Sequence, residues 1–93
     1  ARPLSDHSSA ILELIAQRMI LGDGDEGKRL ERAVAAACRR YPNVLLRQAA
    51  NEIKDQVRFH RQQHERPDEE CPRSDELDAI VRELEKQVAK NVV

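Results

Sequence analysis

The sequence predicts an all-α fold, a small four-helix bundle. Three observations predict it. Apolar residues recur every three or four positions in four separate segments, the spacing of one face of a helix. Glycine and proline fall between the apolar stripes, with Gly27 just ahead of the second one. No stretch alternates apolar and polar residues as a half-buried strand would. Helices are expected at about 5–21, 25–41, 43–65 and 75–91, in one domain spanning 1–93.

The first helix has Ser5 or Asp6 as its N-cap, a side-chain oxygen for the free backbone N–H groups of the first turn. Ile11, Leu14, Ile15 and Met19 share one face. Leu12, Ala16 and Ile20 widen it enough for two neighbours. Gly22 is expected to stop the helix in the left-handed conformation. The acidic turn that follows, Gly22-Asp23-Gly24-Asp25-Glu26-Gly27, offers Asp23 or Asp25 as the next cap.

The second helix carries the stripe Leu30, Val34, Ala37 and Tyr41, with Ala33, Ala36 and Cys38 beside it. Alanines there allow a neighbouring helix to come close. Pro42 ends the run, because the residue before a proline disfavours helical angles. Asn43 is the expected cap of the third helix. Leu46, Ala49, Ala50, Ile53 and Val57 trace its buried face, which turns polar at His60 and His64. Phe59 lies about 200° round the helix from Val57, on the side of Leu45 and Glu52.

An acidic, proline-bounded linker, 66–73, precedes the last helix, which Ser74 or Asp75 would cap. Leu77, Val81, Leu84 and Val88 form its apolar seam, at steps of four, three and four. Glu83 with Lys86, and Arg82 with Glu85, are expected ion pairs on its outer side. A helix this short is marginal in water unless the seam is covered. It must fold back, pair with its own copy or dock on a partner. A core with one Phe, one Tyr and no Trp is often supplemented by dimerisation in small helical proteins, so a helical homodimer is expected.

The composition excludes several function classes. Thirty-five per cent of the residues are charged, yet the formal net charge is −1, without the basic excess of a nucleic-acid binder. No signal peptide or membrane-length apolar run is visible. Two cysteines are too few for a disulfide framework, so a cytoplasmic, reducing setting is expected. No cofactor is implied.

Local motifs fail on spacing. A calcium loop starting at Asp23 would need Gly where Lys28 stands and a carboxylate where Val34 stands. His60, His64 and Cys71 could approach a metal, but no paired Cys or His-Glu-x-x-His motif supports a site. Asp6, His7, Ser8 and Ser9 supply the residue types of a catalytic triad, but neighbours on a helix point in different directions. With no phosphate loop and few glycines, an enzyme is not expected.

What remains is a non-enzymatic regulatory protein-binding module acting through helix contacts. The candidate interface residues are Leu77, Ile80, Val81, Leu84 and Val88, with Phe59 and Leu45 as a second patch. The alternative is direct nucleic-acid binding. The tight turn Arg39-Arg40-Tyr41-Pro42-Asn43 with Arg47 beyond it could form a helix-turn-helix, or the chain could be a Rop-like dimer. Glu52, Asp55 and Glu65 would repel phosphates, and Val44-Leu45-Leu46 opens the third helix with apolar residues.

In size, helical pattern, lack of a catalytic motif and aliphatic last helix, the chain resembles the small bacterial anti-activators of LuxR-type quorum-sensing regulators, the TraM- and QslA-like proteins. The resemblance covers the general pattern of the whole chain and carries no individual residue across. It implies that the partner is a transcription regulator, held away from DNA.

Overall fold

Glycine and proline divide the chain into four helices, as their placement between apolar stripes requires. A computed structural model describes residues 3–22, 24, 26–63 and 72–91. The helices are α1 (Asp6–Leu21), α2 (Glu26–Arg40), α3 (Asn43–Gln62) and α4 (Pro72–Asn91). The fold is all-α, and the described residues contain no strand.

Helix ends explain the boundaries. Ser5 caps α1, its hydroxyl oxygen accepting from the Ser8 N–H at 3.3 Å. Gly22 is not left-handed as expected; its φ of −68° and ψ of 130° are extended. Its small size matters instead, because a Cβ there would meet Arg29 Cγ at 2.9 Å and the Arg18 carbonyl at 3.1 Å. Gly22→Ala is therefore expected to cost about 1 kcal/mol by overpacking, read as a lowered thermal midpoint. Asp23 and Asp25, the expected α2 caps, lie outside the described residues.

Pro42, not Asn43, stands at the N-cap of α3, extended at φ −71° and ψ 155°. Its carbonyl accepts from the Leu45 and Leu46 N–H groups at 3.0 and 3.1 Å. Asn43 is already helical and makes no side-chain cap. The far end of α3 comes at Gln62, three residues short of the expected 65.

The start of α4 needs a larger correction. The helix begins at Pro72, not at 75, so Ser74 and Asp75 lie inside it. A proline is favoured at the first helical position, where its missing N–H has no partner to lose. The rest of the expected linker, 66–71, lies outside the described residues.

α1 packs on α2 and α3, while α4 packs on α3 and α2. α1 and α4 are diagonal, and their backbones do not approach. Ile11 and Ile15 of α1, Ala33, Val34 and Ala37 of α2, and Leu46, Ala49, Ala50, Ile53 and Val57 of α3 are buried. The α4 seam completes this core with Leu77, Ile80, Val81, Leu84 and Val88. Polar links hold α4 in place. Lys54 meets Glu85 at 2.7 Å, and Gln87 Nε2 donates to the Glu31 carbonyl at 2.9 Å. The expected Arg82–Glu85 pair is replaced, because Arg82 turns back to Asp78 at 3.0 Å and Glu85 is taken by Lys54. Lys86 does face Glu83, at 3.9 Å.

Candidate interaction surface

The five α4 positions expected at an interface are covered within the chain. Leu77, Ile80, Val81, Leu84 and Val88 face the chain's own α3 and α2, so α4 has folded back. Of the second patch, Leu45 is half-buried against the core and Phe59 is half-buried, edge-on to His60 with ring centroids 6.0 Å apart. His64 and Cys71 lie outside the described residues. Among the described residues no three metal-ligating side chains converge. Cys38 is half-buried beside the core. Burial pushes its thiol up, with Arg39 pulling it down and Glu83 adding to the rise.

The Leu45–Glu52 side of α3 is where α1 docks, and a polar knot marks the contact. The Ser5 N–H donates to Glu52 Oε1 at 2.6 Å, and the Ser8 hydroxyl donates to Oε2 at 2.9 Å. The Ser5 hydroxyl lies 3.1 Å from Oε2. Burial pushes the Glu52 carboxyl up, but the donors outweigh it and hold it below its ordinary value: Ser5 N–H, Ser8, Gln48 and the Ser5 hydroxyl. A carboxylate held this low is a weak base. The arrangement therefore ties the start of α1 to the middle of α3 and does not activate Ser8. Asp6, His7 and Ser9 are exposed and point elsewhere.

Uncovered apolar surface lies at the other end of α1. Ile20 is 81% exposed and Leu21 77%, although Ile20 was expected to widen the buried face. Ala16 is exposed as well. The diagonal placement of α1 and α4 accounts for this, since α4 does not reach across to cover them.

Leu21 and Gly22 open onto a groove of about 330 Å³ between the end of α1 and α2. Its floor holds Ala33, Ala35 and Ala36, whose short side chains leave the helix backbone close to the surface. Arg18, Arg29, Arg32 and Arg39 surround it, and no carboxylate is among the described residues that line it. Arg29 is fixed by the close passage of its stem over Gly22, and its Nε is buried with no hydrogen-bond partner. Asp23 and Asp25 are near in sequence but outside the described residues.

A second cleft, about 350 Å³, lies where α1 and α4 diverge, with Leu4, Leu12, Leu77 and Ile80 inside and Glu13 and Glu76 at the rim. Among the described residues, arginines line the first concavity and glutamates rim the second. A near-neutral total hides this segregation, which is why composition gave no sign of it. The sequence signal for the groove is the seven-residue spacing of Arg32 and Arg39 around paired alanines. Alanines beside a stripe read equally well as core, so the spacing alone does not distinguish a groove.

α2 and α3 are joined tightly at Tyr41-Pro42 but touch only slightly, each packing on α1 and α4 instead. Among the described residues no helix is long and apolar enough to cross a membrane. Against known protein families, curated proteins and solved structures, the chain gives no match.

Proposed function

We propose that this chain is a non-enzymatic protein-binding module that inhibits a transcription regulator, acting in the cytoplasm as an anti-activator. The observation that carries the reading is the exposed apolar pair Ile20 and Leu21 beside an arginine-lined groove. Monomeric proteins rarely leave large apolar side chains clustered next to a concave surface without a partner for them. The compact all-helical build supports the resemblance to LuxR-type anti-activators in general pattern. The α4 seam is closed within the chain, so contact with a partner, or with a second copy in the expected homodimer, falls to other surfaces, α1 and α2 foremost.

Co-expression with a LuxR-type regulator tests this. The expected result is a co-purifying complex in which the regulator no longer shifts its DNA. Free regulator that binds its DNA unchanged would count against it.

One observation favours the nucleic-acid alternative. Glu52 turns inward to Ser5 and Ser8, which leaves Arg47, Asn51 and Arg58 on the exposed side of α3 with Asp55. Lys54 and Arg61 on the same helix are engaged by α4 carboxylates, which weakens that surface as a phosphate site. The same gel with the chain alone decides it: salt-sensitive shift of a duplex at sub-micromolar protein supports the alternative, and no shift at low salt removes it.

A further inference from the structure

We propose that residues 3–5 form a releasable strap. It lays Leu4 into the cleft between α1 and α4, the Glu52 side chain latches it, and its release uncovers Leu77 and Ile80 while the bundle stays folded. The strap belongs to the chain alone and goes beyond the binding role proposed above.

The cover is Leu4. It is half-buried, packs against the core and lines the cleft with Leu12 of α1 and with Leu77 and Ile80 of α4. Leu77 and Ile80 keep 8% and 7% exposure, the highest values among the described buried apolar residues. The core is thus most thinly covered at this cleft. The cause lies in the fold. The backbones of α1 and α4 stay apart, so a side chain from outside both helices fills part of the gap.

The latch comes from α3. The Ser5 N–H donates to Glu52 Oε1 at 2.6 Å, and Ser5 Oγ lies 3.1 Å from Oε2. The Ser8 hydroxyl, on a wholly buried residue, donates to Oε2 at 2.9 Å. An ionised carboxylate accepts at both oxygens, and hydrogen bonds to a charged acceptor are the stronger ones. One side chain therefore fixes both the backbone and the hydroxyl of the residue next to Leu4. Ser5 in turn accepts from two amides of the first turn. Its hydroxyl takes the Ser8 N–H at 3.3 Å, and its carbonyl takes the Ser9 N–H at 2.9 Å. Those two amides report whether Ser5 is in place.

Release is local for a physical reason. The strap lies ahead of the first helical turn, and Pro3 is exposed. A segment with few anchors opens at a lower free energy than packed helices do. Deeper along α1, Ile11 and Ile15 are 0% exposed and hold that helix on the bundle. Loss of the latch frees residues 3–5 without lifting α1.

The test uses nuclear magnetic resonance on the full chain, with two variants. A neutral gadolinium chelate in solution relaxes methyl groups that solvent reaches. Leu4→Ala and Glu52→Ala should each raise this relaxation at Leu77 and Ile80 and leave Leu84 and Ile53 as in the parent. Amide hydrogen exchange reads the latch. In the parent, the Ser8 and Ser9 amides should exchange faster than that of Ile53, which opens with the whole fold. In Glu52→Ala they should gain about tenfold or more relative to Ile53, the size expected for losing a charged acceptor. Taking the ratio to Ile53 removes any general loss of stability.

Unchanged methyl relaxation in Leu4→Ala would overturn the proposal, because Leu4 would not be the cover. Equal acceleration of all three amides in Glu52→Ala would also overturn it, because Glu52 would then not latch the strap separately. So would Ser8 and Ser9 amides as slow as that of Ile53 in the parent, since the segment would open only with the whole fold. Should Glu52→Ala fail to fold, the parent amides and Leu4→Ala still decide the matter. None of these readings involves a partner, so they stand or fall apart from the regulator experiment.

Discussion

Leu84→Ala should destabilise the chain by about 2–5 kcal/mol, the range for emptying a fully buried leucine site. Leu84 is 0% exposed and lies in the α4 face packed on α3 and α2. Truncation removes its transfer contribution and leaves a cavity that neighbours on rigid helices refill only in part. A domain of this size has a total stability of about 5–15 kcal/mol, so the loss is a large fraction of it. The thermal midpoint should fall by about 10 °C or more. Chemical denaturation followed by circular dichroism reads this directly. Ile20→Ala is the control. Its side chain is mostly in solvent, and the change should move stability by no more than about 0.5 kcal/mol. If Leu84 belonged to an interface, the pattern would reverse: stability retained and a partner lost.

Glu52→Ala should cost about 1–3 kcal/mol, because it removes a half-buried carboxylate and leaves the Ser5 N–H and the Ser8 hydroxyl without their acceptor. The same group makes stability depend on acid. Its folded pKa lies below the ordinary glutamate value. A lowered folded value means that the contribution is fully present above the unfolded pKa. It is lost as the pH falls through the folded one. Unfolding followed from neutral pH to below about 4 should therefore show stability falling with acid. The parent should fall more steeply than Glu52→Ala, and parallel curves would show that Glu52 is not the group responsible.

Much of the fold could be read from the sequence because helical periodicity survives without knowledge of partners. The third helix is the clearest case, since Leu46, Ala49, Ala50, Ile53 and Val57 are all buried as their spacing implies. Helix starts were harder. Pro72 reads as punctuation in a linker and is equally suited to the first turn of a helix, and only the tertiary fit chooses between them. Asn43 has cap chemistry, yet Pro42 supplied the extended residue one step earlier. Whether α4 folds back or docks elsewhere depends on the long-range packing of α2 and α3, which no local pattern encodes. The interaction surface was the least legible part. Ile20 follows the same periodicity as buried residues and is exposed only because α1 and α4 lie on a diagonal. The arginine groove needs the end of α1 beside α2, a juxtaposition of segments that composition averages to near neutrality.

The central claim is that α4 completes the core of a single chain and leaves the α1–α2 end to meet a partner. Light-scattering mass over a wide range of protein concentration tests it most directly. The account predicts intact helicity wherever the mass is 10.6 kDa, so that any dimer dissociates into folded single chains. A mass of twice that value, falling to the single chain only as helicity is lost, would contradict it and place the α4 seam between two copies.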